Sequence, residues 1–282
     1  MIGFEERIAR RRKSYWDGSV FSGRHPRLLC VHSFRAKTSG GNRWRCCPLW
    51  PRRLIDKWNS RIFAAEHGCR VPKLYWSGSR PSKIPFETLP NEFVVRPNFS
   101  GASKGVVAFA HGANRVTGHR CNENDIRAAL RALPYLQRRR ILVEELITDH
   151  AESTTLPTEF GCYSFAGHIA VIEVTRRVPD RALRRQSFYS PAWQRLDKAV
   201  YFNTYVQDES DIPAPAHLPM LLKLAARLGR SIGPFMRIDF FLPEDGPVFG
   251  EFSSIPIIEG KLSRAADDLL AECWQQYADD QL

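Results

Sequence analysis

Arg237-Ile238-Asp239-Phe240-Phe241, a turn at Pro243-Glu244-Asp245-Gly246, then Pro247-Val248-Phe249-Gly250-Glu251-Phe252-Ser253: this stretch decides the fold. A polar turn between two aromatic-rich runs predicts a β-hairpin over Phe235–Phe241 and Pro247–Phe252. Side chains alternate between the faces of a strand. Alternation puts Arg237, Asp239 and Phe241 on one face, and Phe249, Glu251 and Ser253 on one face of the partner strand. The short turn lets Asp239 approach Glu251. Met236, Ile238, Phe240, Val248 and Phe252 suit a buried face. Two carboxylates converging from neighbouring strands suit a hard cation such as Mg²⁺, which takes oxygen ligands, often one or two carboxylates with phosphates and waters. Arg237 beside them carries the planar fork that grips a phosphoryl group. The same residues also read as an ion-pair network on a solvated sheet face, and the hairpin alone leaves both readings open.

Working outward, Phe93–Pro97 reads as a strand and Val106–Ala110 as its return. Between them runs a small-residue loop, Ser100-Gly101-Ala102-Ser103-Lys104-Gly105. Gly and Ser let backbone N–H groups approach phosphate oxygens, and Lys104 and Arg96 add charge. A tight loop with no ligand is the alternative. Ile141–Ile147 reads as a strand carrying Glu144 and Glu145 among apolar residues. Those carboxylates suit ribose hydroxyls, and equally suit a half-exposed strand end. Glu159–Val174 predicts a second hairpin, turning at Ala166-Gly167-His168. Helices are expected at Leu54–His67, at Asn124–Leu133 with Asn122 or Asn124 as cap, and at His217–Leu228 with Gly229 as C-cap. Two more are expected, at Leu262–Tyr277 and, with basic character, at Glu5–Tyr15. Strands, hairpins and helices mixed in this way give an α+β protein.

The 282 residues suffice for one large domain or several interlocked subdomains, and 43% are hydrophobic, enough for a core. No apolar run is long enough to span a bilayer, and the early acids Glu5 and Glu6 do not suit a secretory leader, so the cytoplasm is expected. Seven cysteines without a C-x-x-C spacing read as reduced thiols rather than a zinc site. A net charge of +11 favours anionic partners. The basic clusters are dispersed along the chain (Arg10–Lys13, Arg52-Arg53, Arg138–Arg140, Arg176-Arg177, Arg184-Arg185), which argues against a nucleic-acid stripe.

Taken in order, these pieces resemble the ATP-grasp superfamily, and most closely its TupA-like branch of amide ligases. The resemblance runs from about Leu54 to Lys261. It is carried by Asp56-Lys57 on a helix, Val71-Pro72, Val94–Asn98 with Ser100–Val106, Val143–Ile147, Phe160–Arg177, Phe188-Tyr189 near Trp193, and the hairpin with Asp239 and Glu251. It implies an ATP-grasp fold in which two α+β subdomains with antiparallel sheets clasp ATP, after an N-terminal segment. The expected divisions are a basic segment at 1–53, a linker and first part of the grasp at 54–90, a lid at 91–147 and a catalytic subdomain at 148–282. ATP and Mg²⁺ are the implied cofactors. Lys57, Arg96 and Arg237 are the implied catalytic cations. Ser100, Gly101, Ser103, Lys104 and Gly105 would close over the phosphates, and Arg176 and Arg177 would approach them. Glu144, Glu145 and Leu146 match the adenine–ribose segment. Asp239, Glu251 and Ser253 match the magnesium ligands.

Two residues depart from the family pattern. Arg96 stands where a lysine is usual, and its planar fork must meet phosphate differently. Ser253 stands where Asn or Thr is usual. The implied reaction joins a carboxylate to an amine through an acylphosphate. The substrates would be an amino acid, a peptide or a cell-surface polymer. A kinase of similar fold, phosphorylating a hydroxyl, and a basic nucleic-acid-binding protein are the alternative readings.

Overall fold

A computed structural model describes residues 54–98, 105–133, 140–149, 156–176, 184–198, 200, 206–233, 235–253 and 263–277. The expected helix at Glu5–Tyr15, the loop residues Ser100, Gly101, Ser103 and Lys104, and Arg177 lie outside them. The described chain builds two six-stranded sheets, α+β as expected.

The first sheet contains β1 (Leu74–Gly78), β2 (Glu92–Pro97), β3 (Val107–Ala110), β4 (Ala113–Asn114), β5 (His119–Arg120) and β6 (Ile141–Glu144). Its order is β1-β6-β2-β3-β4-β5, with every pair antiparallel. Phe93 and Val95 of β2 alternate inward with Val107, Ile141 and Val143, and meet Ile126 and Leu130 of helix α2 (Glu123–Arg131). Asn122 caps α2 and Asp125 completes a capping box. Val94 and Arg96 therefore point to the other face. Leu74–Gly78, within the expected linker and first part of the grasp, pairs with β6; this first sheet is called the lid sheet below after the expected division.

The second sheet, called the catalytic sheet below after the expected division, contains β7 (Glu159–Phe165), β8 (His168–Arg176), β9 (Arg185–Tyr189), β10 (Val206–Gln207), β11 (Met236–Phe241) and β12 (Val248–Ser253). Its order is β10-β9-β8-β7-β11-β12, and only β10 is parallel to its neighbour. Helix α3 (Leu218–Ile232) lays Leu221, Leu224, Ala225, Leu228 and Ile232 on one face of this sheet. Helix α4 (Arg264–Tyr277) packs Leu270 and Trp274 against Tyr163, Phe165 and Phe188 on the other. Helix α1 (Lys57–Glu66) runs beside β12, with Phe63 edge-on to Phe252. The thiols of Cys69, Cys162 and Cys273 are buried and free of disulfides, and burial pushes each of them up.

Two sequence expectations need correction. Gly229 does not end α3. The helix runs on to Ile232 and stops at Gly233, where φ is +110°. Gly229 is instead a point of close approach, because a Cβ there would lie 1.9 Å from Ser164 Oγ. The second correction concerns Phe249. A β-bulge leaves Gly250 unpaired, so Asp239 faces Glu251 while Phe240 faces Phe249. Phe249 thus joins the core with Phe240 and Phe252, and does not share a face with Glu251. Alternation cannot detect an extra residue in a strand.

The close approach at Gly229 predicts that Gly229→Ala destabilises the fold by about 1–3 kcal/mol. Urea unfolding measures this, and an unchanged midpoint would mean that α3 and β7 can separate without loss.

Candidate functional site

The register of the catalytic sheet gathers charge on one face. Gly161 of β7 lies between Glu173 of β8 and Asp239 of β11, and Asp239 lies opposite Glu251 of β12. Glu159 is one step of two residues away on the same face. Arg237 sits in the middle. Its Nε and Nη2 donate to the two oxygens of Asp239 at 2.7 and 2.8 Å. Its Nη1 is 3.4 Å from Glu173 Oε2, and Nη2 is 4.0 Å from Glu159. Gly161 makes room for the pair, since a Cβ there would lie 3.0 Å from Arg237 Cδ and 3.1 Å from Asp239 Oδ1.

This is an ion-pair network, but a buried one rather than a solvated one. Asp239 is 1% exposed. Burial raises its carboxyl to about 8; Glu159 and Glu251 add to the rise and Arg237 opposes it. Burial also acts against the Arg237 cation, but Asp239, Glu173 and Tyr163 outweigh that and hold it well above its ordinary value. Glu173 is held by the Tyr163 hydroxyl at 2.7 Å, by Gln186 Nε2 at 2.6 Å and by Thr175 at 3.2 Å. Glu159 and Glu173 were missed as site residues in the sequence. Their signal was present, as acids in otherwise apolar strands, but only strand pairing brings them beside Asp239.

On the edge of this face, Lys57 Nζ lies 3.1 Å from Glu251 Oε2. Lys57 is the first residue of α1, and the start of that helix is firmly fixed. Asp56 accepts from the backbone N–H groups of Trp58 and Asn59 at 2.9 and 3.0 Å. Asn98, just past β2, accepts from the Trp58 N–H and donates to Asp56, both at 2.8 Å. Ser253 is the register partner of Arg237. Among the described residues, no three His, Cys, Asp or Glu side chains form a metal cage. The pairing of Asp239 with Glu251 nevertheless fits Mg²⁺, which needs few carboxylates when phosphates complete its shell. Among the described residues this face gathers the carboxylates of Glu159, Glu173, Asp239 and Glu251 around Arg237 and Lys57.

In the lid sheet, Arg96 Nε donates to Glu144 Oε2 at 2.5 Å. The other oxygen of Glu144 pairs with Arg61 of α1, whose Nη2 donates to Pro72 O at 3.0 Å. The expected strand Ile141–Ile147 ends at Glu144, and the Glu144 carboxylate is engaged by two guanidiniums. Glu145 accepts from Lys73 N at 2.9 Å and from Arg70 at 3.1 Å, and Leu146 is half-buried. Gly105 takes φ +73°, where a Cβ would lie 2.4 Å from Leu133 Cδ1. Arg176, at the end of β8, alternates with Thr175 onto the α3 face and pairs with Asp208 at 2.6 Å.

Two antiparallel sheets, one lined with carboxylates around an arginine and the other bearing cations, form the architecture of the ATP-grasp fold. The chain belongs to the TupA-like ATPgrasp family, whose pattern it matches over residues 51–273. No curated protein matches its sequence. Among solved structures it is similar in fold to D-alanine–D-alanine ligase from Bacillus anthracis complexed with ATP, with 15% identity and a TM-score of 0.51. That similarity covers 80% of this chain and 67% of the ligase. It is also similar to the VanG D-Ala:D-Ser ligase from Enterococcus faecalis, at 16% identity and a TM-score of 0.52, over 82% of this chain and 64% of that enzyme. The chain therefore spans only about two thirds of the length of these structures.

Removing the Glu173 charge while keeping its shape leaves Arg237 short of a buried partner. Glu173→Gln should cost about 3 kcal/mol of stability by denaturant unfolding. A midpoint equal to wild type would mean that Glu173 does not support Arg237.

Proposed function

We propose that the chain is an ATP-dependent carboxylate–amine ligase working through an acylphosphate. The observation that carries this reading is the register pair of buried Asp239 and half-exposed Glu251 beside Arg237, on a face that also carries Glu159 and Glu173. Membership of the ATP-grasp family supports it.

Asp239 and Glu251 would hold Mg²⁺, with Ser253 beside them. When bound, Mg²⁺ supplies charge neutralisation for the phosphoryl group in transfer. Lys57 and Arg96 face the triphosphate from α1 and the lid. Arg237, its orientation set by Asp239 and Glu173, stabilises charge on the transferring group. The carboxylate of the first substrate attacks the γ-phosphorus, the bond to the β-phosphate oxygen breaks, and ADP leaves. The amine then attacks the acyl carbon, phosphate departs, and the amine loses its proton, leaving an amide. Ser100, Gly101, Ser103, Lys104 and Gly105, by residue type, suit contact with the phosphates. Glu144, Glu145 and Leu146 would form the segment along adenine and ribose. The substrates fit a small molecule, a peptide or a glycan carboxylate with an amine, by family resemblance. Among the described residues no helix is long and apolar enough to cross a membrane.

The test needs no substrate at first. A non-hydrolysable ATP analogue with Mg²⁺, at about 100 times its dissociation constant, should stabilise the chain by roughly 2.7 kcal/mol. Asp239→Asn should abolish the magnesium-dependent part, and retention of the full shift by that variant would remove the metal assignment. With a carboxylate and amine in hand, release of inorganic phosphate separates a ligase from a kinase, which keeps the phosphoryl group on its product. Arg237→Ala should lower turnover far more than nucleotide binding; equal loss of both would argue against a transition-state role.

A further inference from the structure

Helix α1 carries two cations one turn apart, and they serve different sheets. Lys57 meets Glu251 of the catalytic sheet, and Arg61, four residues on and on the same side, meets Glu144 of the lid. The Glu144 side chain is only 2% exposed, and its two oxygens are divided between Arg61 and Arg96. Arg96 is held through Nε, and its terminal nitrogens have no protein partner among the described residues. They lie on the face of the lid sheet opposite the α2 core. A guanidinium held in this way presents both terminal nitrogens as a fork, which suits two oxygens of a phosphate.

The buried Arg237–Asp239 pair shows the arrangement without such division. Asp239 has Arg237 as its close cation, and both of its oxygens close on that one guanidinium. Glu144 does not do the same to Arg96, because Arg61 takes one oxygen. The group also has two cations for one anion, so it retains a positive charge. Without Arg61, Glu144 and Arg96 would form a neutral pair.

We propose that Arg61 is a positioning residue: by occupying one oxygen of Glu144, it keeps Arg96 open and net-positive for the nucleotide triphosphate. This rests on the reading of Arg96 as a phosphate contact given above. It also gives the arginine at position 96 a requirement that a lysine would not have, since a point charge needs no orientation in plane.

The test is calorimetric binding of a non-hydrolysable ATP analogue with Mg²⁺ to the full chain. Arg61→Ala should weaken binding by about tenfold, equivalent to losing one hydrogen bond to a charged group. Adding Glu144→Gln to Arg61→Ala should recover most of that loss, because a neutral amide competes poorly for Arg96. Wild-type affinity in Arg61→Ala, or a double variant weaker than the single, would overturn the proposal. A purely structural role would lower the unfolding temperature and leave affinity intact in the folded variant, and that too would overturn it. Should Arg61→Ala not fold, Arg61→Met keeps the apolar stem, and its single and double variants are read the same way. Absence of magnesium-dependent binding in the wild type would instead defeat the ATP-site reading itself, and this inference with it.

Discussion

The structure turns on carboxylates drawn together on one sheet face around a buried arginine. An unpaired carboxylate is costly to take out of water, and this face carries Glu159, Glu173, Asp239 and Glu251. Each is compensated differently. Asp239 takes both arms of Arg237, Glu251 takes Lys57, and Glu173 collects a tyrosine, a glutamine and a threonine besides Arg237. Burial raises Asp239 to about 8, with Glu159 and Glu251 adding to the rise and Arg237 opposing it. A sheet face built only for stability would be better served by apolar residues of similar volume. Its retained charge is the physical basis for reading it as a site for a cation and polyphosphate.

The lid depends on the catalytic side through α1. The helix begins in a cluster of hydrogen bonds that includes Asn98 from the end of β2, so its first turn is fixed relative to the lid. Its apolar residues Phe63 and Ala64 belong to the core of the catalytic sheet. One short element thus sets where cations stand against both sheets. This suits chemistry in which charge on a phosphoryl group must be met from several directions at once.

Much of this was legible in the sequence, and the limits were physical. The Asp239–Glu251 pairing followed from alternation and a short turn. The lid hairpin and the core face of α3 followed from hydrophobic pattern. Glu159, Glu173 and Arg61 were not found, because their importance comes from contacts across strands or between helix and sheet, which a linear pattern does not encode. Gly229 was misread because a glycine in a helix signals either a stop or a close approach, and only packing against Ser164 distinguishes the two. Phe249 was misplaced because alternation assumes one residue per step.

That last point has a wider consequence. Because Gly250 is an additional residue in β12, the hairpin carries two phases, one for the aromatic core at Phe249 and one for the charged face at Glu251. Removing that residue would merge the phases and drive either Glu251 toward the core or Phe249 toward the cleft. A change of length is therefore costlier at this point than in the exposed turn at Glu244-Asp245, where the chain can absorb it without shifting either face.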